Sequence, residues 1–182
     1  MSFQFSISSK TGLLAGAEYR PSTHYDARPD PEDLSLVVLH GISLPPGKFG
    51  GEAVSALFLG QLDPQAHPYY PLLAGVRVSA HLFIRRTGEI IQFVPFHHRA
   101  WHAGLSRLGS RENCNDFSIG IELEGTDTSG YADIQYNVLS AVLSVLRSTY
   151  PSLKNAPVLG HSDIAPLRKS DPGAGFNWAK LR

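Results

Sequence analysis

The sequence predicts a single α/β domain, a mixed central β-sheet flanked by helices. Three observations predict it. Short apolar or β-branched runs recur along the chain, and a long helical stripe separates the last two. No internal repeat, low-complexity stretch or linker divides the 182 residues. A chain of this length buries roughly 70% of its unfolded surface. Its 42% hydrophobic content supplies an ordinary core.

The elements follow in order. Residues 1–33 are polar and proline-rich (RPSTHYDARPDPED) and read as an extended N-terminal segment packing on the domain, which proper spans 34–182. LSLVVLH (34–40) is a short apolar, β-branched run, the pattern of a strand buried on both faces. GEAVSALFLG (51–60) has helical spacing over a short length, and 61–76 reads as a proline-broken connection. VSAHLFIRR and EIIQFVPF, joined through Thr87-Gly88, give the strongest hairpin signal.

FSIGIELEG (117–125) alternates strictly: Ile119, Ile121 and Leu123 share one face, and Ser118, Gly120, Glu122 and Glu124 the other. ADIQYNVLSAVLSVLRSTYP (132–151) is the best helix, with Ile134, Val138, Val142 and Val145 in one stripe and Pro151 as its stop. APVLGH then reads as a last short strand feeding the polar loop GHSDIAPLRKSDPG.

Charge and cysteine content narrow the function classes. Lys plus Arg total 16 and Asp plus Glu total 16, with no basic stripe, which argues against nucleic acid or an anionic membrane as partner. Cys114 is the only cysteine, so no internal disulfide forms, and usage leans towards a reducing compartment. The first residues lack the pattern of a secretory leader, and no apolar run is long enough to cross a bilayer. The expectation is a soluble, cytoplasmic protein without an obligate protein partner.

His40 ends one apolar strand and His161 follows another, and polar side chains at strand ends converge where α/β proteins place their sites. Two imidazoles and a carboxylate, with a fourth position open, form a recurrent catalytic zinc set. Asp171 can supply the carboxylate if its Asp-Pro-Gly turn folds back, although Asp163 serves as well on spacing alone. Histidines hydrogen-bonded at strand ends and an ordinary turn explain the same residues. Glu122 and Glu124 project from an apolar strand, as a solvated face or as a functional carboxylate beside the open space of Gly120. Lys169 reads as an oxyanion-stabilising group or a surface lysine. Trp101 and His102 read as a sugar-stacking platform or as core.

VVLHGISLPPGKFGG, RVSAHLFIRRTGEIIQFVPF, RAWHAG, NCNDFSIGIELEGTD and GHSDIAPLRKSDPG occur in this order. Together they closely resemble the cytosolic branch of the zinc-dependent N-acetylmuramoyl-L-alanine amidase family, which shares its fold with peptidoglycan recognition proteins and phage amidases. The likeness runs from about His24 to Arg182. It implies that His40, His161 and Asp171 hold zinc, that Glu122 rather than Glu124 is the catalytic acid–base, and that Lys169 assists. It further implies a small anhydromuropeptide substrate, cleaved between (1,6-anhydro-)N-acetylmuramic acid and L-alanine during peptidoglycan recycling, with Arg77, Trp101 and His102 in its groove.

Three positions depart from the family's pattern: Gly41 where asparagine is usual, Asn113 where some members have arginine, and Ala27 where some have cysteine. The first two leave Arg77 as the remaining candidate to hold the peptide's carboxylates. Two rival readings stand beside this one. A non-catalytic muropeptide-binding module would lack part of the metal set. An exported amidase acting on intact wall would carry a leader.

Overall fold

The apolar runs condense into one six-stranded sheet in the computed structural model, which describes residues 3–181. Residues 1, 2 and 182, included in the expected segment and domain, lie outside the described residues. In chain order the strands are β1 (Glu18–Tyr19), β2 (Leu36–Ile42), β3 (Leu82–Ile84), β4 (Ile90–Gln92), β5 (Ser118–Glu124) and β6 (Val158–Gly160). Their order across the sheet is β6-β2-β5-β3-β4-β1. β6, β2, β5 and β3 run parallel, β4 turns back antiparallel beside β3, and β1 pairs parallel with β4. The sheet is therefore mixed, as expected.

The hairpin is shorter than its sequence signal. Leu82 to Ile84 pair with Gln92 to Ile90, and the turn closes through Arg85 N–H to Glu89 O, with Gly88 at φ +86°. That φ suits glycine, which lacks the Cβ that makes the left-handed region costly. Residues 3–33 do more than lie on the domain. They supply the edge strand β1, and Tyr25–Ala27 pair with His98–Ala100.

Parallel neighbours need crossovers, and α2 (Asp133–Thr149) makes the one from β5 to β6. Its start is held by Gln135 Oε1, which accepts the Ala132 N–H at 2.9 Å. Its buried face is Gln135, Tyr136, Val138, Leu139, Val142, Leu143 and Leu146. Val138 and Val142 lie at its centre, whereas Ile134 and Val145 of the expected stripe are only half-buried. The sheet beneath accepts a sector wider than a single row of residues, and its axis falls towards Leu139 and Leu146.

α2 covers one face of the sheet, where Val37, Leu39, Ile119, Ile121 and Leu123 meet Val138, Leu139 and Val142. Two smaller apolar clusters flank the opposite face. One gathers Phe83 and Ile91 with Val54, Leu57 and Phe58, the last three from the region of α1 (Ala53–Phe58). The other gathers Leu36 and Val38 with Cys114, Phe117 and Ile164. The polar row of β5 and the end of β2 share this second face, and there the site forms.

Candidate metal centre

In-register pairing puts His40 of β2 beside Glu122 of β5, on the same face. Gly160 ends β6 opposite Leu39, so the next residue, His161, opens α3 (His161–Ile164) at the same end of the sheet. The loop beyond returns through the Asp171 carbonyl, which accepts the Ser162 N–H at 3.0 Å. Asp171 thereby comes back over the strand ends. Asp163 is diverted to capping: its Oδ2 accepts the Gly160 N–H at 2.7 Å.

The result is a triangle of ligand atoms. His40 Nδ1 and His161 Nδ1 are 3.0 Å apart, and each lies 3.2 Å from Asp171 Oδ2. Ligand bonds of 2.0–2.2 Å in tetrahedral array separate donor atoms by roughly 3.4 Å. The chemistry of the donors fits as well. His161 Nε2–H donates to Ala103 O at 3.0 Å, which leaves Nδ1 bare in a neutral ring. Burial above all holds His40 down to about 4, so this ring is neutral near pH 7. Two imidazole nitrogens and a carboxylate oxygen pointing at one place could hold a cation.

Glu122 is 9% exposed, and its Oε2 has no hydrogen-bond partner. Burial first, and then the Asp171 charge, push its carboxyl well above the ordinary range against the opposing pull of Lys169. The reading of this face as solvated fails: all seven residues of β5 are buried. Glu124 differs from Glu122 in having both oxygens occupied, accepting Gly50 N–H at 2.5 Å and Arg86 N–H at 3.0 Å. The space beside Gly120 is also filled. A Cβ there would lie 2.4 Å from Cγ of His102, whose ring occupies it.

His40, Glu122, His161, Lys169 and Asp171 line one cavity of about 250 Å³, walled on its far side by Leu57, Leu73 and Val76. Lys169 is exposed at its rim. Arg77 is absent from this cavity. Its guanidinium lies 5.1 Å from the Trp101 ring centroid, and it lines a neighbouring depression that shares Leu57, Leu73 and Val76. His102 reaches the cavity wall, but His40 Nε2 and Ser118 Oγ take its two ring nitrogens. Gly41 is explained locally: a Cβ would fall 2.1 Å from Tyr131 Oη, which donates to Pro172 O and braces the Asp171 loop.

Two supporting residues carried no sequence signal. Asn115 Oδ1 accepts the N–H groups of His102 and Ala103 at 3.1 and 2.8 Å. Arg168 donates to Ala103 O and Leu105 O at 2.6 and 2.8 Å, clamping the same loop over His161. Both are polar side chains in turn-rich stretches, a pattern too common to single them out.

A mixed α/β sheet with a His-His-Asp cation site and a buried carboxylate at its strand ends is the build of a mononuclear metal hydrolase. The chain belongs to the N-acetylmuramoyl-L-alanine amidase family (Amidase_2), whose model matches residues 30–174. A Citrobacter freundii relative, 1,6-anhydro-N-acetylmuramyl-L-alanine amidase AmpD, is 59% identical over 171 residues, covering 94% of this chain and 91% of that protein. The crystal structure of a selenomethionine AmpD derivative superposes with a TM-score of 0.91 at 59% identity, covering 94% of this chain and 96% of that one. AmpDh3 from Pseudomonas aeruginosa, in complex with anhydromuramic pentapeptide, matches at a TM-score of 0.62 and 30% identity, over 90% of this chain and 62% of that one. No helix among the described residues is long and apolar enough to cross a membrane.

Proposed function

We propose that this chain is a zinc-dependent amidase acting on anhydromuropeptides in the cytoplasm, where cell-wall fragments are recycled. It hydrolyses the amide between the lactyl carbonyl of 1,6-anhydro-N-acetylmuramic acid and L-alanine. One observation carries the reading: three lone-pair donors converge within 3.2 Å in the cavity that also holds the unpartnered Glu122 Oε2. The relative's name, 1,6-anhydro-N-acetylmuramyl-L-alanine amidase, supports the choice of substrate, and the sole cysteine supports a reducing compartment.

His40, His161 and Asp171 would hold the ion. When bound, zinc supplies Lewis acidity, lowering the pKa of a water towards 7 and polarising a carbonyl. Glu122 takes the water's proton at its free oxygen, and its raised pKa makes it a good donor of that proton to the departing alanine nitrogen. Lys169, at the cavity rim, would stabilise the developing oxyanion, a contribution of about 3 kcal/mol for one such donor. Leu57, Leu73 and Val76 give the cavity an apolar lining against which the substrate can pack. The Arg77 guanidinium, 5.1 Å from the Trp101 ring centroid at the neighbouring depression, supports a role in taking a peptide carboxylate.

Mass spectrometry of products from a defined anhydromuropeptide tests the proposal. Anhydro-N-acetylmuramic acid and intact peptide should appear, vanish on chelation and return with zinc. Hydrolysis that survives complete metal removal would sink the zinc mechanism, and binding without hydrolysis would make the chain a recognition module.

A further inference from the structure

Ser118 opens β5 on the face that carries Glu122, and it is fully buried. Its hydroxyl lies 2.5 Å from the carbonyl of Cys114, an atom that can only accept. The hydroxyl hydrogen is thereby committed. Towards His102 Nε2, at 3.2 Å, Ser118 Oγ must accept, so His102 carries a proton on Nε2.

The ring of His102 has two side-chain partners, Ser118 and His40, and neither is an anion that would favour an imidazolium. In the neutral ring a proton on Nε2 leaves Nδ1 bare. The atom facing that Nδ1 at 2.9 Å is His40 Nε2, which therefore donates. A neutral His40 protonated on Nε2 has a bare Nδ1, the atom that faces His161 Nδ1 and Asp171 Oδ2.

We infer that Ser118, acting through His102, fixes the tautomer of His40 that turns Nδ1 towards the metal site. Both are positioning residues: they act on the ion through His40. The surroundings are built for this chain of bonds. Gly120 leaves room for the His102 ring, where a Cβ would lie 2.4 Å from its Cγ. Arg28 donates to Ser118 O at 2.8 Å and holds the strand from the other side. Without the serine acceptor, His102 gains by moving its proton to Nδ1. That N–H would face His40 Nε2, drive the His40 proton to Nδ1 and block the ligand atom. The inference rests on the zinc reading above for its consequence, though not for its tautomers.

The first measurement is nitrogen-15 NMR of imidazole tautomers in the full metal-free chain. Both His40 and His102 should be protonated on Nε2, and a parent His40 protonated on Nδ1 overturns the inference. Ser118→Ala should move His40 towards the Nδ1–H form and weaken zinc binding about 10–100-fold in chelator competition. Parent-like zinc affinity in a folded Ser118→Ala protein would also overturn it. His102→Asn puts an amide oxygen near the place of Nδ1, so it should keep affinity even in the Ser118→Ala background, a rescue that loss of packing cannot produce. If Ser118→Ala fails to fold, the parent spectrum and His102→Asn alone still decide. A parent with the stated tautomers that binds no zinc would sink the metal reading and leave the tautomer assignment standing.

Discussion

Along β5, Ile119, Ile121 and Leu123 pack under α2, while Ser118, Gly120, Glu122 and Glu124 face the other way, and all seven are buried. Burial therefore does not separate the stabilising face of this sheet from the functional one. Partner chemistry does. On the α2 face each side chain meets apolar neighbours. On the other, Ser118 and Glu124 have their oxygens matched by hydrogen-bond partners, whereas the buried Glu122 Oε2 has none. Glu124, two residues along, accepts two backbone N–H groups and is structural. An unmatched buried carboxylate oxygen costs stability, and this supports the acid–base role proposed for Glu122.

The comparison is broken most severely at the ligands. His40→Ala or Asp171→Asn should lose both bound zinc and turnover, measured as metal content and product release. Glu122→Gln comes next and should keep zinc while lowering kcat about 10²–10⁴-fold. An active Glu122→Gln enzyme would remove Glu122 from the acid–base role.

The α2 face should respond in the opposite way. Ile121→Ala is expected to cost about 2–5 kcal/mol in urea unfolding, with kcat unchanged while the protein stays folded. Glu124→Ala should cost less, roughly 1 kcal/mol, by removing the part-buried hydrogen bonds to the Gly50 and Arg86 N–H groups, again with near-parent kcat. Equal losses of kcat from the two glutamate variants would erase the distinction drawn here.

The smallest effect sharpens the comparison through pH. The Glu122 carboxyl is raised in the folded state, chiefly by burial. Its stabilising contribution is thus fully present below its ordinary pKa and lost as pH rises through the raised one. The Tm of the metal-free protein should fall over that range, and the fall should be smaller in Glu122→Gln. Turnover has the reverse sign, dropping as pH falls and Glu122 becomes protonated, because only the carboxylate accepts a proton.

Much of this was legible in the residues. Periodicity located β2, β5, α2 and the hairpin, because side chains alternate along a strand and return every turn along a helix. It also put Glu122 on the face opposite Ile121. It could not say that both faces are buried, since one strand's alternation carries no information about what covers it. Nor could it choose between Glu122 and Glu124, or Asp163 and Asp171. Those choices depend on the partners of each oxygen: Gly50 and Arg86 lie on other segments from Glu124, and Asp163 is taken up by Gly160 of its own turn.

The sequence by itself determined the mixed α/β class, the strand-end histidines and the family likeness, because local pattern and residue order are written along one dimension. Tertiary structure alone decided which nitrogens turn inward, which carboxylate stays unpaired, and that His102 stands behind His40. Each is a contact across tens of residues, His40 to His102 and His40 to Asp171 among them. The register of β2 against β5 and the return of the Asp171 loop bring those groups within hydrogen-bond reach.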